Sequence, residues 1–407
     1  MLIEFSVTNY LSMRDRQTLT MTAAYNPEEL PDAVMHLNLP SMSGYSFLKG
    51  AALYGANASG KSNILGAMAF MRNYVRRSAI DMVPDEETGL TPFLLTQDAA
   101  AAPGEFEIVF AHKGVRYDYG FALDKTRILS EWLYAYPRGR PRKIFVRDYD
   151  ERKKEYMYEF GQDAAGYSDH KKKTRPNALF LSMGAQFNAA ELLPPYEWFA
   201  HYFQVLSLSE AGISPAYTAL QIIEKPEVRR QYSNLLREAD LGVEDIEVAN
   251  EGSGERAELR IHFLHSCPGN NAPVKLALEA ESAGTKRLFS LLTLWHDVLE
   301  TGMTLCVDEL EASLHPLLIR KLIKMICGPQ NTSGAQLIFT THNTNLLDAS
   351  LLRRDQIWFT EKDPDGATQL YPLSDYRPRK DEMLQKGYLA GRYGAIPMLR
   401  EDFSFYE

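Results

Sequence analysis

The chain has 407 residues, 45% of them hydrophobic and 24% charged, which is enough length for two or three lobes around a sizeable core. No apolar run approaches the roughly 18 residues needed to span a bilayer. The N-terminal MLIEFSVTNY has neither a basic leader nor a cleavable apolar stretch, so a cytoplasmic protein with no membrane partner is expected. A net charge of −9 excludes a general polyanion binder. Cys267, Cys306 and Cys327 lack metal-ligand spacing and are expected to be reduced packing residues.

In chain order, Leu2–Thr8 and Gln17–Met21 predict strands. Ala51–Tyr54 is a short apolar run leading into a glycine-rich loop, and Ile64–Arg77 predicts a helix. From Glu105 to Val146 apolar and polar residues alternate around a Lys-Gly turn, which predicts an antiparallel meander. Asn188–Asp240 has a helical pattern broken by prolines and is expected to be a helical lobe inserted between two halves of one core. Strands are expected again at 244–249, 257–264 and 274–280. A helix over Thr285–Glu300, a strand at Thr304–Val307, a helix near 316–327 and a strand at Leu337–Thr341 follow. This alternation predicts an α/β fold. The expected divisions are an N-terminal lobe over 1–186, the insertion over 187–243, a C-terminal lobe over 244–375 and a tail over 376–407.

Four motifs carry chemistry. GANASGKS, residues 55–62, fits G-x-x-x-x-G-K-[ST] between a strand and a helix. Its glycines let backbone N–H groups curl around phosphate oxygens at a helix N-terminus. Gly55, Asn57, Ser59, Gly60, Lys61, Ser62 and Asn63 are the expected nucleotide-binding residues, with Lys61 reaching the phosphates and Ser62 ligating Mg²⁺. TLCVDEL, residues 304–310, ends an apolar strand in two carboxylates that period-2 alternation would point to opposite sides. Asp308 is expected to face the metal and Glu309 the attacking water. IFTTHN ends another apolar strand in His342, and ESAGTKR offers Ser282, Gly284 and Thr285 as a second anion-binding surface before a helix.

In that order, these motifs resemble the ABC-type P-loop ATPase fold, and within it the heads of the SMC, RecF and OLD class. LEASLHP and THNTNLLD carry this likeness. VTNYLS, TPFLL, the EFEIVF…YDYGF meander, TRPNALFLS and KGYLAGRYGAIPML resemble the RloA/AbiL-like branch of bacterial ATPases. That branch is associated with phage defence beside a separately encoded nuclease-like protein. The resemblance implies ATP and Mg²⁺ as cofactors and a head-to-tail homodimer. ATP held by Gly55–Ser62 of one subunit would be capped by Ser282 and Gly284 of the other. It also implies His342 as a γ-phosphate sensor, Glu311–His315 as a loop between the two sites, and Arg14 as a basic residue near the nucleotide. The heads of this class place a Gln-Gly pair after a strand. Here Leu179–Leu181 is followed by Ser182, Met183 and Gly184, with Gln186 beyond, which departs from that pattern.

The implied function is an ATP-driven sensor or clamp gating a nuclease-like effector. The alternatives are a RecF-like DNA-maintenance ATPase, a transporter ATPase subunit and a non-hydrolysing scaffold. Residues 125–175 hold 14 basic against 8 acidic residues, a local excess of 6, and are expected to be where DNA backbone would bind. Lys386–Leu399 either docks a partner protein or folds back on the core.

Overall fold

The structure, a computed structural model, describes residues 1–24, 26, 28–162, 167–206, 214–239, 241–251, 258–267, 272–379 and 382–397. Strands β1 (Leu2–Thr8) and β2 (Gln17–Thr20) precede the small hairpin β3 (Val34–His36) and β4 (Ser46–Leu48). Strand β5 (Gly50–Gly55) and helices α1 (Lys61–Arg77) and α2 (Gln97–Ala101) come next. The meander is β6 (Gly104–His112), β7 (Val115–Leu123), β8 (Ile128–Tyr136), β9 (Arg142–Asp150) and β10 (Glu155–Phe160). Helices α3 (Ser168–Lys171), α4 (Phe180–Gln186) and α5 (Leu193–Glu197) lead to β11 (Phe203–Leu206). Then come α6 (Pro215–Glu224), α7 (Pro226–Glu238), β12 (Val243–Glu251), β13 (Glu258–His265) and β14 (Val274–Ala277). The last elements are α8 (Ala283–Thr301), β15 (Thr304–Val307), α9 (Pro316–Cys327), β16 (Gln336–Thr340), β17 (Ile357–Lys362), β18 (Thr368–Pro372) and α10 (Leu384–Leu389).

Two large sheets organise the chain. One is an antiparallel sheet in the order β10-β9-β8-β7-β6-β1-β2. Its expected Lys-Gly turn has positive φ at both Lys113 and Gly114, the geometry that lets a tight hairpin follow the strand twist. The other sheet has the order β11-β15-β16-β5-β17-β18, parallel except for the last pair.

The parallel strands are buried on both faces, and their pleat divides two cores. Ala51, Leu53, Cys306 and Ile338 face the core that holds α1 and the antiparallel sheet. Ala52, Tyr54, Leu305, Val307, Leu337 and Phe339 face the core built with α8 and α9. Helix α1 is thus sandwiched between the sheets through Ile64, Leu65, Met68, Met71 and Val75. Cys306 and Cys327 are buried free thiols, as expected of packing residues, whereas Cys267 is exposed and does not pack as expected. Among the described residues no helix is long and apolar enough to cross a membrane.

Two expectations need correction, and one open alternative is decided. The stretch expected to be a helical insertion contains β11, which pairs in parallel with β15 and so belongs to the core sheet. Leu179–Leu181 is not a strand end, because Phe180–Gln186 forms α4. The strand beside β15 is β11, and the residues after it, 207–213, lie outside those described. The C-terminal segment folds back on the core. Tyr388 stacks on Phe359 with centroids 5.5 Å apart, and Tyr393 does so at 5.8 Å. Both tyrosines are buried, so this face is occupied by the chain itself; residues from 398 onward lie outside those described.

Candidate functional site: a phosphate loop and two carboxylates at one sheet edge

The loop between β5 and α1 is shaped by its neighbours. Gly60 has φ +108, and a Cβ there would lie 2.1 Å from Thr368 Oγ1, so no side chain fits. At Gly55 a Cβ would meet Ser59 Oγ and the Thr360 carbonyl at 2.5 Å each. Hydroxyls stitch the loop to β17 and β18: Ser59 Oγ lies 2.6 Å from Thr360 Oγ1, and Thr368 Oγ1 donates to the Ser59 carbonyl at 3.0 Å. This hairpin is not among the elements expected from the motifs. Its signal was the apolar run IWFT followed by the turn DPDG.

Lys61 is buried, and its Nζ donates to the carbonyls of Gly55 and Ala56 at 3.0 Å each. Burial lowers its pKa, while Asp308 acts in the opposite direction. Asn57 and Ser62 are exposed at the loop surface. Asn63 is turned aside, its Nδ2 donating to Ser12 Oγ at 2.7 Å.

The carboxylates arrive on β15. Ser62 Oγ donates to Asp308 Oδ1 at 3.0 Å, and Thr340 Oγ1 donates to the same oxygen at 2.6 Å. Thr340 Oγ1 also accepts from the Glu309 N–H at 2.7 Å, so one hydroxyl on β16 sets both acidic residues. A strand pleat does not set the two carboxylates: β15 ends at Val307, and Glu309 sits in the left-handed region at φ +47. A non-glycine residue held there costs on the order of 1–3 kcal/mol, which the surrounding hydrogen bonds must offset. Among the described residues the Glu309 carboxylate makes no hydrogen bond or ion pair, and it is half-buried.

His342 follows β16. Its N–H donates to Glu311 Oε1 at 2.5 Å, which ties it to the turn after Glu309. The ring stands at the exposed end of the strand. Loss of solvent on its inner side, and then the Lys61 cation, lower its pKa and favour the neutral imidazole. The structure therefore brings Lys61, Ser62, Asp308, Glu309 and His342 to one edge of the parallel sheet.

Two groups stand apart. Ser282 caps α8, its Oγ accepting from Thr285 N at 3.1 Å, and it is exposed while Thr285 is buried. A Cβ on Gly284 would lie 2.9 Å from the Ser313 carbonyl, so this segment packs against the turn after β15. Among the described residues no hydrogen bond joins residues 281–285 to the phosphate loop. Arg14 lies in the loop whose Ser12 reaches Asn63 and Thr368. Its guanidinium binds Asp365 at 2.7 Å, Asp15 at 3.0 Å and Asp363 at 3.2 Å, which raises its pKa. In this protomer it is an ion-pair hub rather than a free cation.

The residues fit a Mg²⁺-nucleotide. The loop excludes side chains at its glycines, the Lys61 ammonium rests on replaceable carbonyl partners, and a hydroxyl and a carboxylate meet within 3.0 Å.

Residues 51–348 match the family model described as "AAA domain, putative AbiEii toxin, Type IV TA system". No curated protein matches the chain. Solved structures similar to it include an Smc head bound to the C-terminal winged-helix domain of ScpA, with TM-score 0.49 and 14% identity, covering 91% of this chain and 97% of that one. An SMC head domain from Thermotoga maritima has TM-score 0.40 and 15% identity over 91% and 98% of the two chains. A Pyrococcus furiosus Smc head with an extended coiled coil, bound to the C-terminal domain of ScpA, has TM-score 0.43 and 12% identity over 93% and 99%.

Proposed function

This chain belongs to that AAA-domain family and is an ATP-hydrolysing enzyme with an ABC-type P-loop core, and from that premise we propose that it works as a nucleotide-driven dimer that gates a partner. The observation that carries the proposal is the shared hydroxyl of Thr340, which sets Asp308 against Ser62 and presents Glu309 with a free carboxylate.

When bound, ATP with Mg²⁺ supplies the phosphoanhydride and the counter-charge. The loop residues Gly55, Asn57, Ser59, Gly60 and Asn63 hold phosphate oxygens through backbone N–H groups. Lys61 exchanges the Gly55 and Ala56 carbonyls for phosphate oxygens, and Ser62 and Asp308 hold the metal. A Glu309 carboxylate oxygen takes the proton of the attacking water. His342, neutral, contributes a ring nitrogen to the γ-phosphate end. Ser282 is exposed and, among the described residues, Ser282, Gly284 and Thr285 make no hydrogen bond to their own phosphate loop, which supports their action on a second subunit's nucleotide in a head-to-tail dimer. Arg14 serves the nucleotide only if its carboxylate partners let go.

Glu309→Gln keeps the shape and removes the base. It should trap an ATP-dependent dimer in size-exclusion chromatography and lower turnover by at least about 10²-fold. Wild-type hydrolysis by this variant would move the base elsewhere.

The family description names a putative toxin of a toxin–antitoxin system, which supports a defence setting, and in that setting the dimer would gate a separately encoded, nuclease-like effector against phage. Effector activity that ignores the trapped dimer would end that part of the proposal. A DNA contact falls to fewer residues than composition suggested. Arg142 pairs with Glu191, Lys143 with Glu159 and Lys154 with Glu151, while Arg147 is fully buried. Arg127, Lys171 and Lys173 make no ion pair among the described residues but lie over aromatic rings, and Arg175 donates to the Ser78 carbonyl, which leaves Lys125, Arg138, Arg140, Arg152 and Lys172 as the cations without such a partner among the described residues.

A further inference from the structure

The family match ends at residue 348, yet the chain beyond it returns to the site. We propose that Gln385 on α10 is a positioning residue for the loop that carries His342. Gln385 Nε2 donates to Thr344 Oγ1 and to Asn345 Oδ1, both at 3.1 Å. The rest of the loop is held from other sides. Glu311 takes the His342 N–H, the Tyr54 hydroxyl lies 3.5 Å from the Asn343 carbonyl, and Arg320 donates to the Asn345 carbonyl at 3.2 Å. Among the described residues, Gln385 is the hydrogen-bonding link to this loop from outside the matched region.

Helix α10 is well placed for this. Leu384 and Tyr388 are buried, and Tyr388 packs on Phe359 and, at 6.0 Å, on Tyr54, the residue just before Gly55. The helix therefore touches the strand that leads into the phosphate loop as well as the histidine loop. Its anchorage does not depend on Gln385, which is only half-buried. The His342 ring makes no hydrogen bond among the described residues, so its position depends on the backbone that Gln385 helps to order. Loss of Gln385 should impair the step that uses the imidazole and spare nucleotide affinity, which resides in Gly55–Ser62.

The inference rests on the proposed role of His342, and a double-mutant cycle separates the two. Gln385→Ala should lower kcat about five-fold, the scale of one or two neutral hydrogen bonds, with ATP affinity and thermal midpoint unchanged. The double variant with His342→Ala should be no slower than His342→Ala alone, because Gln385 acts through that residue. Gln385→Met keeps the length and removes donor and acceptor together, so it should slow turnover equally and covers the case in which the alanine variant folds poorly. Wild-type kcat in both Gln385 variants, or a double variant slower by the full single effect, overturns the inference. Wild-type kcat in His342→Ala defeats the role of His342 and this inference together, and is recognised because Gln385 is intact there.

Discussion

Lys61 is an ammonium waiting on two carbonyls, and its removal leaves the loop's other fastenings in place. Ser59, Thr360 and Thr368 hold the loop without it. Lys61→Ala should therefore lose most ATP binding in calorimetry while keeping a folded far-ultraviolet spectrum; equal binding by both proteins would refute the assignment. His112 tests the fold rather than the site. Desolvation, then the amino terminus and Lys113, lower its pKa from 6.5 to about 4, and Glu197 at 3.7 Å is too distant to restore it. The unfolded chain then binds the proton first as pH falls. Stability is lost through pH 6.5 and onward to about 4, by up to roughly 3 kcal/mol. His112→Gln should flatten the thermal midpoint over that window, and an unchanged slope would show that His112 does not titrate there.

At the scale of elements, the parts that could be read were those whose pattern was long or whose chemistry was local. The meander announced itself through nine-residue strands of alternating pattern, and β15 through an apolar run meeting two acids. Strand β11 was hidden because four residues, FQVL, flanked by helical text, show no period of their own; only pairing with β15 makes them a strand. Strands β17 and β18 lay beyond the last recognisable motif, yet their threonines close the phosphate loop. The motif thus disclosed the residues proposed to meet the nucleotide, and not what fixes their shape. Gly60→Ala tests that fixing. It must strain φ +108 and displace Thr368, so nucleotide binding should be lost together with about 1–3 kcal/mol of stability. Truncation after Asp381 tests the other end. It strips Tyr388 and Tyr393 from Phe359, each worth about 1.5–3 kcal/mol, so an insoluble or much less stable product is expected. A soluble truncated enzyme with wild-type turnover would show that the tail is dispensable.

Across the whole molecule, sequence proximity misled about charge. The turns of a meander alternate between the two ends of its sheet. Arg138 and Arg140 lie at the β8–β9 turn, while Lys125 at β7–β8 and Arg152 at β9–β10 lie at the opposite end, about 30 Å away along nine-residue strands. The basic residues of these turns are therefore divided between the two ends of the sheet. Assembly has a sharper test. Each protomer carries a phosphate loop at one sheet edge and an exposed Ser282 that makes no hydrogen bond to that loop. A head-to-tail pair would contain two composite sites, each with a loop from one chain and Ser282 from the other. Ser282→Arg spoils the capping half of a site, and Lys61→Ala spoils the loop half. In a mixed dimer both lesions fall in the same site, and the other keeps an intact loop facing an intact Ser282. Either variant alone should hydrolyse almost no ATP, whereas an equal mixture, with half its dimers mixed, should recover about a quarter of wild-type turnover if sites act independently. Mixed dimers shown to form, yet without activity, would mean that the two halves do not complete one another across subunits.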